Sequence, residues 1–212
     1  MVWMKSRSCK HCRVVDSKKG LMSWEVTASL LEREKGCLFS RRRPTDGESH
    51  LGVRVSYAIV DRRTQTLYAC LDHGHWGCKL QRSRDRGKNW EEIPAPKYLD
   101  GSMLKDDRPA VLRYQWCLTP RPAIQPGRLY MGTEPGGLFV SDDEGDSFRL
   151  VESLWNHPSR KEQWMGGGLD EPGIHSVLID PRDPNRISVG ISVAGVSQAQ
   201  TVAKHGSLAI VA

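Results

Sequence analysis

The stretch that decides the fold is Ser83-Arg-Asp-Arg-Gly-Lys-Asn-Trp90, which returns 58 positions further on as Ser141-Asp-Asp-Glu-Gly-Asp-Ser-Phe148. Each copy follows a short apolar run and repeats Ser, Asp and Gly at matching positions, which is typical of a hairpin turn. The Asp carboxylate can accept hydrogen bonds from backbone N–H groups of the turn. Gly supplies a positive φ, and the final aromatic ring packs onto the strands. Repetition at this interval predicts stacked β units.

We refer to residues 83–90 and 141–148 as the first and second Asp turns, and we predict that their repeated positions build the fold. These positions are Ser83, Asp85, Gly87, Trp90, Ser141, Asp143, Gly145 and Phe148. The pattern Ser-x-Asp-x-Gly-x-x-Trp/Phe resembles the Asp-box, or BNR repeat, of β-propellers such as sialidases, sortilin-type domains and photosystem assembly factors. Residues 132–141 and 173–184 are similar to bacterial sialidase-like propellers identified as exo-sialidases or glycosyl hydrolases. The resemblance spans about residues 51–196.

The chain around the Asp turns divides into three units of short apolar runs, each run a predicted strand. The predicted strands are 56–61, 66–71, 78–82 and a run after Trp90 in the first unit, 115–119, 128–133, 137–141 and 148–152 in the second, and 176–180 and 186–191 in the third. After Val196 no third Asp turn follows. We therefore predict an all-β fold, a partial β-propeller of about two and a half four-stranded Asp-box blades.

The repeats set three boundaries along the chain. Residues 51–196 are the predicted blades, residues 1–50 are a basic segment without a clear fold, and residues 197–212 are a tail without repeat character. A propeller ring closes with about four to eight blades, so two and a half predict an arc with open blade edges. Such edges favour self-association or an incomplete product. Abrupt loss of the repeat near residues 25 and 197 favours a shifted reading frame as one origin of both ends.

The distribution of charge along the chain limits the classes of partner that we expect. The formal net charge is +6, but residues 1–50 hold 11 Lys and Arg against 6 Asp and Glu, which leaves 20 against 19 for the rest. A nucleic-acid partner is not expected, because it would need a basic stripe on the folded domain.

No run approaches the roughly 18 apolar residues of a membrane span, and positions 1–15 lack a signal-peptide core. We expect a cytoplasmic protein without a membrane partner, whose 6 Cys are reduced thiols.

The connections of an up-and-down blade alternate between its two ends. The Asp turns lie at one end, so the loops between second and third strands and the blade-to-blade connections meet at the other end, the predicted mouth. The candidate site residues in these loops are His73, His75, Trp76, Glu134, Arg160, Trp164, Asp170 and His175. Convergence of polar and aromatic groups at one mouth is typical of a site for a carbohydrate or another small ligand.

The carboxyl groups of the mouth suggest a reaction. Glycosidases need two carboxyl groups, one protonated and one ionised, with indole faces for the sugar ring. We assign Glu134 and Asp170 as the catalytic pair, with Arg160 positioned to bind a substrate carboxylate. The other substrate-binding candidates are His73, His75, Trp76, Trp164 and His175. Each candidate also has a structural alternative: Glu134 and Asp170 can terminate turns, and Arg160 can form an internal ion pair.

We predict neither a metal nor a cofactor. His73 and His75 project to the same side of an extended segment, with His175 as a third imidazole, but nothing in the sequence fixes their common geometry. Packed or hydrogen-bonded loop histidines are therefore favoured. Cys9 and Cys12 form a lone Cys-x-x-Cys pair without a second pair at zinc-binding spacing.

The resemblance to sialidases reaches the scaffold and stops before the catalytic residues. The sequence has no Arg-Ile-Pro phrase and no matching set of three arginines, a Tyr and Glu pair and an Asp acid. For an enzyme, the resemblance implies glycoside hydrolysis of the exo-sialidase-like type. The sortilin-type and photosystem-assembly propellers imply the alternative, a non-catalytic binding or assembly module. A shared fold does not decide between them.

Overall fold

The computed structural model describes residues 27–29, 37–40, 47–121, 127–166, 170–201 and 208–209. The chain separates into two compact units, residues 1–55 and 56–212. In the first unit, β1 (Thr27–Ser29), β2 (Cys37–Ser40) and β3 (Gly47–Ser49) form an antiparallel sheet in chain order. The Cys9 and Cys12 pair lies outside the described residues.

Within the described residues, the three repeat units fold as three antiparallel four-stranded sheets, which we name blades 1, 2 and 3. Blade 1 consists of β4 (Arg54–Asp61), β5 (Thr66–Asp72), β6 (Cys78–Ser83) and β7 (Glu91–Ile93). Blade 2 consists of β8 (Tyr114–Pro120), β9 (Leu129–Glu134), β10 (Leu138–Ser141) and β11 (Arg149–Leu150). Blade 3 consists of β12 (Ile174–Ile179), β13 (Arg186–Ile191), β14 (Gly195–Thr201) and β15 (Leu208–Ala209). Each strand pairs with the next, which confirms the predicted all-β, partial-propeller architecture.

Blade 3 extends further than the repeat pattern predicts. β14 pairs with β13 from Gly195 opposite Ile191 to Gln200 opposite Arg186, and β15 then pairs with β14. The sequence predicts that the repeat stops at Val196, because no Asp turn follows. A strand ladder is built from backbone hydrogen bonds, however, and these do not require that turn chemistry.

Helical structure is confined to short pieces in the connections. A 3-10 turn, Gly74–Trp76, joins β5 to β6, and α1 (Glu152–Trp155) and α2 (Pro158–Glu162) lie between blades 2 and 3. Pro158 occupies the first turn of α2, where a missing N–H is tolerated, and His157 caps that helix by accepting from the Ser159 N–H. Across the described parts of the chain, no helix combines the length and the apolar character that crossing a membrane requires.

Blade 2 is buried on both faces because its residues alternate between two cores. Leu129 and Met131 pack with the apolar side chains of blade 1, whereas Tyr130 packs with those of blade 3. Every residue of β9 and β10 is buried as a result. Full burial of one Leu or Met side chain contributes about 2 kcal/mol, so this alternation attaches blade 2 to both of its neighbours.

A glycine sets how closely blade 3 approaches blade 2. A Cβ atom on Gly132 would lie 2.3 Å from the Ile174 carbonyl oxygen and 2.8 Å from the Cys117 Sγ. Both contacts are far inside van der Waals distance, so no other residue fits at this position without moving a strand. The close approach brings the start of β12 against β9, next to the last residue of β9, Glu134.

The two Asp turns have the hydrogen bonds that the repeat predicts. In the second turn, Ser141 Oγ donates to Asp143 Oδ1 at 2.7 Å, and the Gly145 N–H donates to Ser141 Oγ at 2.8 Å. The Ser147 N–H donates to Asp143 Oδ1 at 2.9 Å. Burial opposes ionisation of Asp143, but the hydrogen bonds from Ser147 and Ser141 outweigh it and lower its pKa.

The first turn repeats this arrangement around Asp85, which accepts from the Asn89 N–H and from the Ser83 hydroxyl. These hydrogen bonds lower the pKa of Asp85 to about 2. Gly87 and Gly145 have φ of 82° and 93°, as the turn chemistry requires. Phe148, the last residue of the second turn, packs on the core between blades 1 and 2. We name the end of the blades that carries both turns the turn end, and the opposite end the mouth end.

The second Asp turn is also held by side chains of blade 1. Arg82 Nη1 donates to the Glu144 carbonyl oxygen at 3.0 Å, and Arg82 Nη2 lies 2.7 Å from Asp146 Oδ1. The Tyr68 hydroxyl donates to the same Glu144 carbonyl at 3.1 Å. These contacts join the second Asp turn of blade 2 to blade 1.

Candidate functional site

Glu134 is the residue around which the mouth end is organised. It is the last residue of β9, before a cis bond to Pro135, and it lies on the same side of the strand as Gly132, facing blade 3. Its side chain is only 4% exposed, although it carries an ionisable group. The Arg113 N–H donates to the Glu134 carbonyl oxygen at 2.9 Å and fixes the backbone there.

The Glu134 carboxyl is poorly satisfied. One oxygen, Oε2, is buried and has no hydrogen-bond partner among the described residues. Burial raises the pKa of Glu134; the Arg113 guanidinium and the Trp116 indole act in the opposite direction, and Glu171 and Asp170 add to the increase. The group therefore retains its proton to higher pH than an ordinary glutamate.

Two more carboxylates lie beside it in the connection that precedes β12. Asp170 is solvent-exposed, and its Oδ2 lies 3.8 Å from Arg113 Nη1. Glu171 is buried, and its Oε1 accepts from Arg108 Nη2 at 3.2 Å. We name these five residues, Glu134, Asp170, Glu171, Arg108 and Arg113, the carboxylate cluster.

The cluster places two carboxyl groups in opposite surroundings. Glu134 is buried, and one of its oxygens has no hydrogen-bond partner among the residues that the structure describes, whereas Asp170 lies in solvent beside a guanidinium. Catalysis by paired carboxyl groups depends on such a difference, because one group must donate a proton while the other is negatively charged. The structure thus brings together the two residues that the sequence assigned as a catalytic pair.

Trp116 completes this side of the mouth end. It is the extra residue of a bulge in β8, where the pairing register shifts between Gln115 and Cys117. Its indole Nε1 is buried without a hydrogen-bond partner among the described residues, and its ring contacts that of Tyr114 edge-on at 4.8 Å between centroids. A Cβ on Gly173 would lie 2.5 Å from Nε1, so the indole edge fits directly against that glycine.

The side chains of Arg160 and Trp164 lie in the core. Arg160 is buried, donates to the Trp155 and Met103 carbonyl oxygens, and stacks 3.7 Å from the centre of the Trp155 ring. Burial lowers its pKa. Trp164 is 2% exposed and belongs to the core between blades 2 and 3. These positions favour the structural role for both side chains, since their polar and aromatic surfaces are already occupied.

The histidines of the mouth end remain at the surface. His75 and His175 are exposed, and His73 is half-buried. Trp76 is 78% exposed, and its ring meets that of His75 edge-on at 5.8 Å. Within the ranges that the structure describes, no group of three His, Cys, Asp or Glu residues is arranged to hold a metal ion.

Cys78 begins β6 on the same end of blade 1. Its thiol is half-buried, and burial, followed by the charges of Asp72 and Glu134, raises its pKa to about 11. The two carboxylates therefore add to the effect of burial and disfavour the thiolate form of Cys78.

Sequence reasoning missed Arg108, Arg113 and Trp116. The two arginines lie in the connection from blade 1 to blade 2, where no repeat pattern distinguishes them from other arginines of that segment. In the sequence, Trp116 is an ordinary residue of a predicted strand. Only the bulge directs its side chain toward blade 3. Asp170 and Arg113 are 57 positions apart in the sequence, so no local sequence pattern predicts that they pair.

The fold places this chain in the class of β-propeller proteins. No family model matches it. An oligoxyloglucan-reducing end-specific xyloglucanase of Emericella nidulans is 29% identical over 116 residues, which are 53% of this chain and 12% of that protein.

Two solved structures share the architecture. The xyloglucanase GH74 of Xanthomonas campestris superposes with a TM-score of 0.55 at 15% identity, covering 88% of this chain and 27% of that one. YCF48 bound to D1 peptide superposes with a TM-score of 0.52 at 14% identity, covering 81% of this chain and 45% of that one. The chain therefore spans less than half the length of each of these proteins, and at these identities the two structures show the fold alone.

Proposed function

We propose that this chain supplies blades of a carbohydrate-active β-propeller and that the carboxylate cluster performs glycoside hydrolysis. The observation that carries the proposal is the pairing of a buried Glu134, whose pKa is raised, with a solvent-exposed Asp170 beside Arg113. The likeness to a xyloglucanase supports the reaction class.

Each residue has a defined part in this reaction. Glu134 donates its proton to the glycosidic oxygen as the leaving group departs. Asp170 either activates a water molecule or attacks the sugar carbon directly, and Arg113 positions both groups through its guanidinium and its backbone N–H. The exposed indole of Trp76 is available to stack on a sugar ring.

The substrate class that we propose is a neutral glycan, with xyloglucan as the first to test because the curated relative acts on it. A sialoside is less favoured, because Arg160, the arginine predicted to bind a substrate carboxylate, donates to backbone carbonyls in the core instead.

The test is hydrolysis of xyloglucan oligosaccharides and of a sialoside by the full chain and by Glu134→Gln. The amide keeps the shape of the side chain but cannot donate an acidic proton, so turnover should fall about 10²- to 10⁴-fold. The matched control is Glu92→Gln, which alters an exposed carboxylate paired with Lys79 and should leave turnover unchanged. Equal turnover in Glu134→Gln and wild type would remove Glu134 from the mechanism.

A non-catalytic binding module is the second candidate. It is favoured by the burial of Trp164, which leaves Trp76 as the exposed indole among the candidate site residues that the structure describes. The superposition on YCF48 bound to D1 peptide agrees with it. Binding of an oligosaccharide or a peptide without any turnover by the wild-type protein would support this candidate and overturn the hydrolase.

We also propose that the chain self-associates through open blade edges. Leu178 and Val196 of blade 3 are 66% and 71% exposed, and Val177, the neighbour of Leu178, faces the core instead. Light scattering after size exclusion should give a discrete dimer or trimer, and replacement of Leu178 by Glu should shift it to monomer. A wild-type monomer at high concentration would contradict self-association.

A further inference from the structure

The two faces of blade 3 differ in exposure. Val177 and Val189 face blade 2 and are at most 5% exposed. Leu178 and Val196 point to the opposite side of the sheet and are 66% and 71% exposed. We name this opposite side the second face of blade 3. Exposed aliphatic side chains that share one sheet face mark interaction surfaces more often than isolated ones do.

The second face repeats the surface with which blade 2 holds blade 3. Cys117 pairs with Gly132 in blade 2, and Ser176 pairs with Gly190 in blade 3. Each of these pairs directly follows a bulge in the first strand of its blade. The step from position 132 to position 190 is 58, the interval that also separates the two Asp turns. The two faces are therefore successive copies of one docking surface.

In blade 2 this surface is filled by the next blade. Leu138, which pairs with Gly132, is 1% exposed and belongs to the core between blades 2 and 3. Val196 pairs with Gly190 in the same register, yet it is 71% exposed. The second face is thus a docking surface whose aliphatic side chains are left exposed by the part of the chain that the structure describes.

The second face has a trough between two ridges. Leu178 of β12 pairs with Ser188 of β13, and Val196 of β14 pairs with Gly190 of β13. The central strand therefore presents small residues beside a large aliphatic residue on each neighbouring strand. A Cβ on Gly190 would lie 2.3 Å from Ser176 Oγ, so only glycine keeps the centre of the face this low.

This shape fits a second copy of the same face. A ridge beside a trough is self-complementary, because a two-fold axis places the ridge of each copy in the trough of the other. The residues that form the ridges and the trough are uncharged, so two copies meet without repulsion. They are Ser176, Leu178, Ser188, Gly190 and Val196.

The far face of blade 1 does not offer an alternative partner surface. Leu67, Ala69 and Leu71 of β5 alternate with Tyr68 and Cys70, which pack toward blade 2. These three side chains are at most 5% exposed, so the chain already buries them. A head-to-tail contact between blade 3 of one copy and blade 1 of the next is therefore not available.

We propose that two copies of this chain form a dimer by packing the second faces of their third blades against each other. The inference rests on the self-association proposed above and gives it a surface and a symmetry. A contact between identical faces closes at two copies, whereas a head-to-tail contact continues into rings or open polymers.

The experiment is sedimentation equilibrium of the full chain over a concentration series. Wild type should reach twice the mass of one chain and go no further. Val196→Glu places an unpaired charge in the contact, so the dimer Kd should rise about a hundredfold. Val111→Glu is the matched control, because Val111 is 64% exposed in the connection from blade 1 to blade 2, and its Kd should equal that of wild type.

A mixing experiment tests the symmetry. A contact between identical faces needs the second face of both chains, so affinity-tagged wild type should retain untagged wild type and release Leu178→Glu. Circular dichroism of both Glu variants should match that of wild type, because the replaced side chains are exposed. Retention of Leu178→Glu by wild type would show that the partner uses another surface and would overturn the inference.

The outcomes separate this inference from the proposals on which it rests. A dimer that persists in both Val196→Glu and Leu178→Glu leaves self-association standing and overturns the second face as its site, and a wild-type trimer does the same. A wild-type monomer at every concentration overturns the inference together with self-association. None of these results bears on hydrolysis, which the Glu134→Gln comparison measures separately.

Discussion

The turn end and the mouth end are built from the same strands but place their carboxyl groups in opposite states. At the turn end, each carboxylate that marks a turn accepts hydrogen bonds from its own loop, and its pKa is lowered. This group comprises Asp61, Asp85, Asp143 and Asp180. At the mouth end, Glu134 is buried, one of its oxygens has no hydrogen-bond partner within the described part of the chain, and its pKa is raised.

The hydrogen bonding of a carboxyl group therefore distinguishes a structural residue from a functional one more clearly than its residue type does. A carboxylate whose hydrogen-bonding capacity is filled by its own turn stabilises the fold and has no capacity left for a ligand. A buried carboxyl with an empty position costs stability, which is typical of a site where the missing partner arrives with a ligand.

The largest expected effect on stability is at the turn end, from Ser141→Ala. Ser141 is buried, donates to Asp143 and accepts from the Gly145 N–H, so its loss leaves a buried donor unsatisfied. The free energy of unfolding should fall by about 2 kcal/mol in calorimetry or denaturant titration. Ser147→Ala, at an exposed position of the same turn, is the control and should cost less than about 1 kcal/mol. Equal losses would show that burial of the turn does not matter.

A somewhat smaller effect should follow from Arg82→Met, which removes the cation that joins blade 1 to the second Asp turn. Arg82 is buried and bonds the Glu144 carbonyl and Asp146, but its carboxylate partners are half-exposed and can be hydrated. We expect a loss of about 1.5 kcal/mol in denaturant unfolding. The control is Lys79→Met, which breaks an exposed pair with Glu92 and should change stability by less than about 0.5 kcal/mol.

The smallest expected effect is a difference in pH dependence between wild type and Glu134→Gln. The pKa of Glu134 is raised by folding, so its contribution favours the folded state below the ordinary carboxyl pKa and is lost as pH rises through the raised value. The amide variant lacks this loss, so its stability relative to wild type should increase as pH rises through that window.

The turn-end carboxylates change the pH dependence of stability in the opposite direction. The lowered pKa values of Asp85 and Asp143 stabilise the fold above the ordinary Asp pKa, and this contribution disappears as pH falls through the lowered values. Both proteins should therefore lose stability together in strong acid. A stability difference between them that does not change with pH would contradict the raised pKa of Glu134.

The sequence predicted the turn end because its interactions are local. Ser141, Asp143 and Gly145 lie within one turn, and their partners are two to four positions away, so a repeated pattern carries the whole arrangement. The predicted strands begin and end within two residues of the observed ones, although Glu152, predicted as the end of the last strand of blade 2, begins α1 instead. The continuation of blade 3 through Thr201 was not predicted, because ladder pairing leaves no residue signature comparable to an Asp turn.

The mouth end was predictable only in part. The alternation of connections places Glu134 and Asp170 at one end, and the structure brings them together through Arg113. Arg160 and Trp164 share that connection, but burial against Trp155 and blade 3 turns them inward. Whether a polar or aromatic loop residue faces solvent or the core depends on long-range packing, which spacing along the chain does not encode.

The half-buried Cys78 gives the mouth end a chemical reporter. Cys70 and Cys117 are buried, so among the three cysteines whose side chains the structure describes, Cys78 should react first with a maleimide, and faster at alkaline pH because its pKa is about 11. With Cys9, Cys12 and Cys37 replaced by Ser, the alkylation rate would follow one thiol at the mouth end of blade 1. A ligand that enters the mouth end would then be detected as protection of a thiol, whether or not the ligand is ever cleaved.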